Sequence, residues 1–152
     1  MTAAPNTAPI PELYVSADSA AKLKREAGDL PSWDLTPRQI CDLELLMNGG
    51  FNPLKGFLSE EDYESVLERM RLADGQLWPM PITLDVSEKF AETVAPGQDV
   101  ALRDQEGVIL AILSITDKWT PNKSRDAGKV FGGDDKAHPA VAYLHDSAGP
   151  IY

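Results

Sequence analysis

The sequence predicts an α+β domain, and three observations lead there. Up to about residue 70, apolar residues recur at helical spacing behind capping residues; from Ile82 onward they alternate or run in short apolar stretches, the signature of strands. The 12 prolines and 11 glycines favour many turns over long helices. Helices followed by a compact set of short strands imply a small barrel-like sheet with helices appended on its N-terminal side. The 152 residues fit one domain, and a chain of that size can bury roughly 68–70% of its unfolded surface.

Residues 1–12, with Pro5, Pro9 and Pro11, read as a flexible N-terminal arm, and 13–152 as the domain itself. Ser16 to Ala27 predicts a short helix stopped by Gly28. Thr36-Pro37-Arg38-Gln39 is a capping box with proline at the first helical position, and Ile40, Leu43 and Met47 follow at i, i+3 and i+7. Cys41 in this helix is expected as a buried core thiol. The helix should end at Asn48-Gly49, where a left-handed residue is needed. The following stretch to Leu58, with Gly49-Gly50, Pro53, Phe51 and Phe57, reads as a buried corner. Ser59 caps a further helix whose first turn holds Glu60, Glu61 and Asp62, and Tyr63, Val66, Leu67 and Met70 form its apolar stripe.

Strands come next. Ile82 to Val86 alternates; Gln98–Arg103 and Gly107–Thr116 flank Asp104-Gln105-Glu106-Gly107 as a hairpin. Val108 to Leu113 is apolar on both faces and is expected as a central, doubly covered strand. Ser124 to Phe131 predicts one short helix, and Val141 to Leu144 a last strand.

Fourteen basic against 24 acidic residues give a net charge of −10, a field that opposes nucleic acid phosphates and anionic membranes. One cysteine allows no internal disulfide and suits a reducing cytosol. No secretory signal and no apolar run near the ~20 residues of a membrane span is present. The chain therefore reads as soluble and cytoplasmic, with no nucleic acid or membrane partner.

Three blocks carry a resemblance: Gly49-Gly50-Phe51-Asn52-Pro53-Leu54-Lys55-Gly56-Phe57-Leu58, then Trp78-Pro79-Met80-Pro81-Ile82-Thr83-Leu84-Asp85-Val86, then Val130-Phe131-Gly132-Gly133-Asp134-Asp135-Lys136-Ala137-His138-Pro139-Ala140-Val141. In this order they resemble the N-terminal domain of the ATP sulfurylase (sulfate adenylyltransferase) family. Gly133 and Ala140 depart from that family's usual Thr and Gly, and Asp126 stands where Glu is common. The resemblance implies a PUA-like β pseudo-barrel with appended N-terminal helices. It further implies a parent enzyme that joins sulfate to the α-phosphorus of ATP, giving adenylyl sulfate and pyrophosphate with ATP and magnesium. That chemistry needs converging cations and amide donors. The family's groups, Gln-x-Arg-Asn-x-x-His-x-x-His and a later Gly-Arg-Asp, belong to the downstream catalytic domain and do not occur in these 152 residues. On this reading the piece has no catalytic, cofactor-binding or metal residues, is inactive alone, and has as partners the downstream catalytic domain and further copies in a homo-oligomer. The alternative is a stand-alone PUA-like module binding RNA or a protein partner.

Other motifs point to no chemistry. Gly128-Lys129 lacks the P-loop glycine, since Lys123 stands five residues earlier, and Val130 replaces the magnesium-binding Ser or Thr. His138 and His145, with Asp134, Asp135 and Asp146, lack closely paired metal-ligand spacing. Glu60, Glu61, Asp62 and Glu64 point around a helix instead of toward one cation. One stretch opposes the acidic average: Lys118, Lys123, Arg125, Lys129 and Lys136 face only Asp126, Asp134 and Asp135, a local +2. Such a stretch is either a mixed solvated surface or a face turned to a partner domain.

Overall fold

The computed structural model describes Ile10 and residues 13–152; apart from Ile10, the arm expected over 1–12 lies outside the described residues. Among the latter, α1 (Ala17–Glu26) follows its Ser16 cap and runs into a 3-10 turn at Ala27–Asp29. Strand β1 (Ser32–Asp34) precedes α2 (Pro37–Met47), whose start is the complete capping box of Thr36 and Gln39. Helix α3 (Glu60–Arg69) is capped by Ser59, whose hydroxyl accepts from the Asp62 amide. Then come the single turn α4 (Glu88–Ala91), strands β2 (Asp99–Arg103) and β3 (Ile109–Ser114), and helices α5 (Lys123–Phe131) and α6 (Pro139–Asp146).

The sheet has the order β1-β2-β3. β2 and β3 form the expected hairpin, closed where Gly107 adopts φ 88°, and they pair antiparallel from Asp99 opposite Ser114 to Arg103 opposite Ile109. β1 joins parallel on the other side of β2, Trp33 opposite Leu102. That pairing overturns one expectation. β2 is the central strand, with Val100, Ala101 and Leu102 buried, and β3 is an edge, half-buried from Ile109 to Leu113 and exposed at Ser114, with Val108 49% exposed just before it. A three-residue strand pairing with a segment 69 positions later leaves no local pattern to read.

Four other expectations change. Ile82–Val86 makes no ladder; Ile82 O accepts from Leu58 N and Val86 pairs singly with Ile151, so this buried segment is held by loops. Val141–Leu144 is helical within α6, where Pro139 at the first position and His138 as cap set the backbone before strand propensity can act. Cys41 is exposed, because α2 buries Gln39, Leu43 and Leu46, and a residue two places past Gln39 lies on the opposite face. Met70 likewise leaves the α3 stripe: it is the left-handed cap at φ 53°, and its side chain is in solvent.

Two apolar clusters form the core. One gathers Leu46, Leu54, Leu58, Tyr63, Val66 and Leu67; the other gathers Leu35, Leu43, Val94, Val100 and Leu102. Phe57 packs against both, so the corner from Leu45 to Leu58 joins them. Gly49 turns the chain out of α2 at φ 79°. A Cβ at Gly50 would stand 2.8 Å from Leu45 Cδ2.

Candidate functional site

The densest polar chemistry lies in a seam between α2, the 82–86 segment and the strap formed by residues 147–152 after α6. Gln39, wholly buried, uses its entire amide: Oε1 accepts from Thr36 N (3.0 Å) and Trp33 Nε1 (3.3 Å), and Nε2 donates to Asp85 O (2.7 Å) and Oδ1 (3.0 Å). The other carboxylate oxygen of Asp85 accepts from Gly149 N at 2.7 Å, and Arg38 Nη1 stands 3.9 Å from Oδ1. A carboxylate 5% exposed persists because donors surround it. Gly149 is required where it sits, since a Cβ there would meet Val86 O at 2.4 Å. Beyond it the strap is stitched down by Val86–Ile151 and Trp119–Tyr152 backbone bonds.

A second group adjoins the first. Tyr63 donates its hydroxyl to Asp126 Oδ2 at 2.6 Å, Arg125 Nε donates to Asp126 Oδ1 at 2.7 Å, and Arg125 Nη2 reaches Glu64 at 2.6 Å, tying α5 to α3. Burial, then the bond to Asp126, pushes the Tyr63 phenol far above its ordinary pKa, and burial does the same to Tyr152. Both stay protonated near neutrality.

Between these groups lies a cavity of about 380 Å³ lined by Arg38, Asp42, Tyr63, Asp85, Tyr143 and Tyr152, among others. The Arg38 guanidinium sits 5.0 Å over the Tyr143 ring. Asp42 Oδ2 is 3.6 Å from Arg38 Nη2, beyond hydrogen-bond reach, and has no other partner; burial raises its pKa. The charged lining is thus one cation, Arg38, against Asp42, Asp85 and Asp126. Asp85 and Asp126 are occupied by donors and the Tyr63 and Tyr152 phenols hold their protons, leaving no poised base or nucleophile among these four. A net acidic lining also disfavours phosphate and sulfate oxyanions.

The other sequence candidates sit apart from this cavity. His138 caps α6, accepting from Ala140 N through Nδ1, and stacks on Phe131; His145 pairs with Asp134, a contact that holds the Asp134 carboxyl below its ordinary pKa. Among the described residues no three His, Cys, Asp or Glu side chains converge as metal ligands. Lys129, in the last turn of α5, reaches Glu68 at 3.0 Å. Of the α3 acids, Asp62 accepts from Ala73 N and Glu64 pairs with Arg125.

The local +2 stretch is engaged within the domain. Lys118 Nζ donates to Ala91 O and Val94 O at the end of α4, Lys123 Nζ to Ala148 O, and Arg125, Lys129 and Lys136 pair with Glu64, Glu68 and Asp146. Its cations fasten α4, α5 and the strap, three of them through ion pairs and two through backbone carbonyls. Sequence reading missed the Gln39–Asp85–Gly149 seam. Gln39 was legible as part of a capping box and Asp85 as a polar position in an alternating segment, but nothing in their spacing joins them to each other or to Gly149.

With this geometry the comparisons with known proteins agree. The family described as PUA-like domain matches residues 3–152, and the chain belongs to it, as an α+β member. Its relatives are sulfate adenylyltransferases. The enzyme of Eremothecium gossypii is 51% identical over 136 residues, covering 90% of this chain, and that of Mycosarcoma maydis is 49% identical over 156 residues, covering all of it. The match falls in their N-terminal part, and the chain spans 27% of the length of these two curated relatives. Among solved structures, the hexameric APS kinase from Thiobacillus denitrificans superposes with a TM-score of 0.69 at 39% identity, covering 75% of this chain and 23% of that one.

Proposed function

We propose that the chain serves as the non-catalytic N-terminal domain of a sulfate adenylyltransferase, an enzyme of sulfate activation that makes adenylyl sulfate and pyrophosphate from ATP and sulfate. One observation carries this reading: about half the residues are identical to such enzymes across 90% or more of this chain, yet the matched region is 27% of their length. The cavity supports it, with one cation facing three carboxylates where two anionic substrates would have to meet. ATP and magnesium are then handled by the remainder of the polypeptide. The domain's role is support: it gives the catalytic region a packed surface and takes part in a homo-oligomer, in line with the hexamer named for the solved neighbour. The place of work is the cytoplasm, in sulfate assimilation.

The test is sulfate-dependent pyrophosphate release from ATP, measured for residues 1–152 and for a polypeptide that also contains the catalytic region. Activity in the longer protein and background turnover in the shorter supports the proposal; robust turnover by the shorter overturns it. The alternative from fold analogy, an RNA-binding module, predicts RNA affinity falling steeply with salt, and the net charge of −10 works against it.

A further inference from the structure

Strand β3 is an edge, and its hydrogen-bonding pattern shows which groups it leaves open. Ala101 N donates to Pro31 O and Leu35 N donates to Arg103 O, so both β2 residues turn toward β1. Alternation turns Val100 and Leu102 toward β3, together with their register partners Leu113 and Ala111. Ile112, opposite Ala101, and Ser114, opposite Asp99, therefore direct their amides and carbonyls away from the sheet, and among the described residues no other backbone meets them. The edge carries no proline, lysine or inward charge, three of the devices that block strand addition; its one irregularity is a bulge at Leu110, which lies before Ile112 and Ser114.

This edge borders hollow ground on both sides. A groove of about 470 Å³ lies between Val108–Leu113, α1 and Leu13–Val15, and a second hollow of about 410 Å³ continues along Ile112 to Trp119, with Lys55, Gly56 and Phe57 lining both. The far wall is unfinished too: α1 buries no residue, and Tyr14 and Val15 are each 52% exposed. The charged residues lining the larger groove are Lys24 and Lys55, with no acid beside them, in a chain with 24 acids and 14 bases. Neither lysine lies within ion-pair distance of a carboxylate of the described residues.

We propose that this trough is a docking surface on which an extended apolar segment carrying a carboxylate pairs with β3 as a fourth strand and sets its acid against Lys24 or Lys55. The open ladder selects an extended peptide, the apolar floor selects its side chains, and the lysine rim selects its charge. The proposal rests on the function inferred above, with the segment supplied by the remaining polypeptide of the sulfate adenylyltransferase.

Amide exchange read residue by residue tests it, comparing residues 1–152 with the full enzyme. The expected result is exchange at Ile112 and Ser114 at least tenfold slower in the full enzyme, with Ala111 and Leu113, already bonded to β2, changing less. A Lys24→Glu, Lys55→Glu double variant of the full enzyme should return Ile112 and Ser114 toward the fast rate without moving the melting temperature of the 1–152 chain. Unchanged exchange at Ile112 and Ser114 in an enzyme that still makes adenylyl sulfate overturns the docking surface and leaves the functional reading intact. Slowing that appears in the 1–152 chain as its concentration rises, or on adding dodecanoate, assigns the trough to a second copy or to a lipid and likewise overturns the proposal. Loss of the functional reading shows separately, as absence of sulfate-dependent pyrophosphate release by the full enzyme.

Discussion

The seam around Asp85 and the trough along β3 are built from the same materials and finished differently. In the seam every oxygen of Asp85 and every polar atom of the Gln39 side chain has a partner, and a glycine admits the strap against Val86. In the trough a strand edge, a helix with no buried residue and two lysines face outward. The difference teaches where this domain is complete and where it presents a surface. Buried polar groups are costly unless saturated, so the seam reads as internal architecture despite being the most polar part of the core. Apolar area left beside an open ladder marks the face turned to something else.

Substitutions can break this contrast. The largest effect is expected for Asp85→Ala, which orphans the Gly149 N–H and removes one of the two acceptors of Gln39 Nε2, the backbone carbonyl of residue 85 being kept; about 1–3 kcal/mol for the orphaned N–H and about 1 for the second lost hydrogen bond make a loss of roughly 3 kcal/mol, read by urea denaturation. Gly149→Ala comes next, about 2–3 kcal/mol from forcing a methyl into the Val86 backbone, and it should speed amide exchange at Ile151 and Tyr152 ahead of the rest of the chain. Asp42→Asn should act in the opposite sense. Burial holds the Asp42 carboxyl above its ordinary pKa, so its ionised form costs folded-state stability, and that stability is lost as pH rises through the elevated value. The variant should therefore be more stable than the parent chain at pH 7, with the advantage gone below about pH 4, near the carboxyl's unfolded value. The smallest effect is expected in the trough, where Val108→Thr should stay within about 0.5 kcal/mol because that side chain is half in solvent. A loss of 2 kcal/mol there would erase the distinction between the two regions.

Much of the local structure was legible in the residues. The Thr36 capping box, the Ser59 cap, the Gly107 turn and the Ser124–Phe131 helix each depend on contacts within a few positions, and each stands in the structure. What could not be read depends on distance. β1 pairs with residues 69 positions on, and Asp85 meets Gly149 across 64. The burial of Ile82–Val86 came through as hydrophobic alternation, but the absence of a neighbouring strand did not. Cys41 shows the limit of composition: an apolar-type residue in a helix faces solvent when the stripe three residues wide passes it by. The basic stretch from Lys118 to Lys136 was visible as charge, yet its role in holding α4, α5 and the strap required their positions in space.

The proposed role, support of sulfate activation by a domain that does not itself hold the substrates, makes a direct thermodynamic prediction. Calorimetric titration of residues 1–152 with magnesium-ATP, and separately with sulfate, tests it most directly. The expected result is no saturable heat with either anion, as an acidic cavity with a single arginine implies; saturable binding of ATP abolished by Arg38→Ala would contradict it.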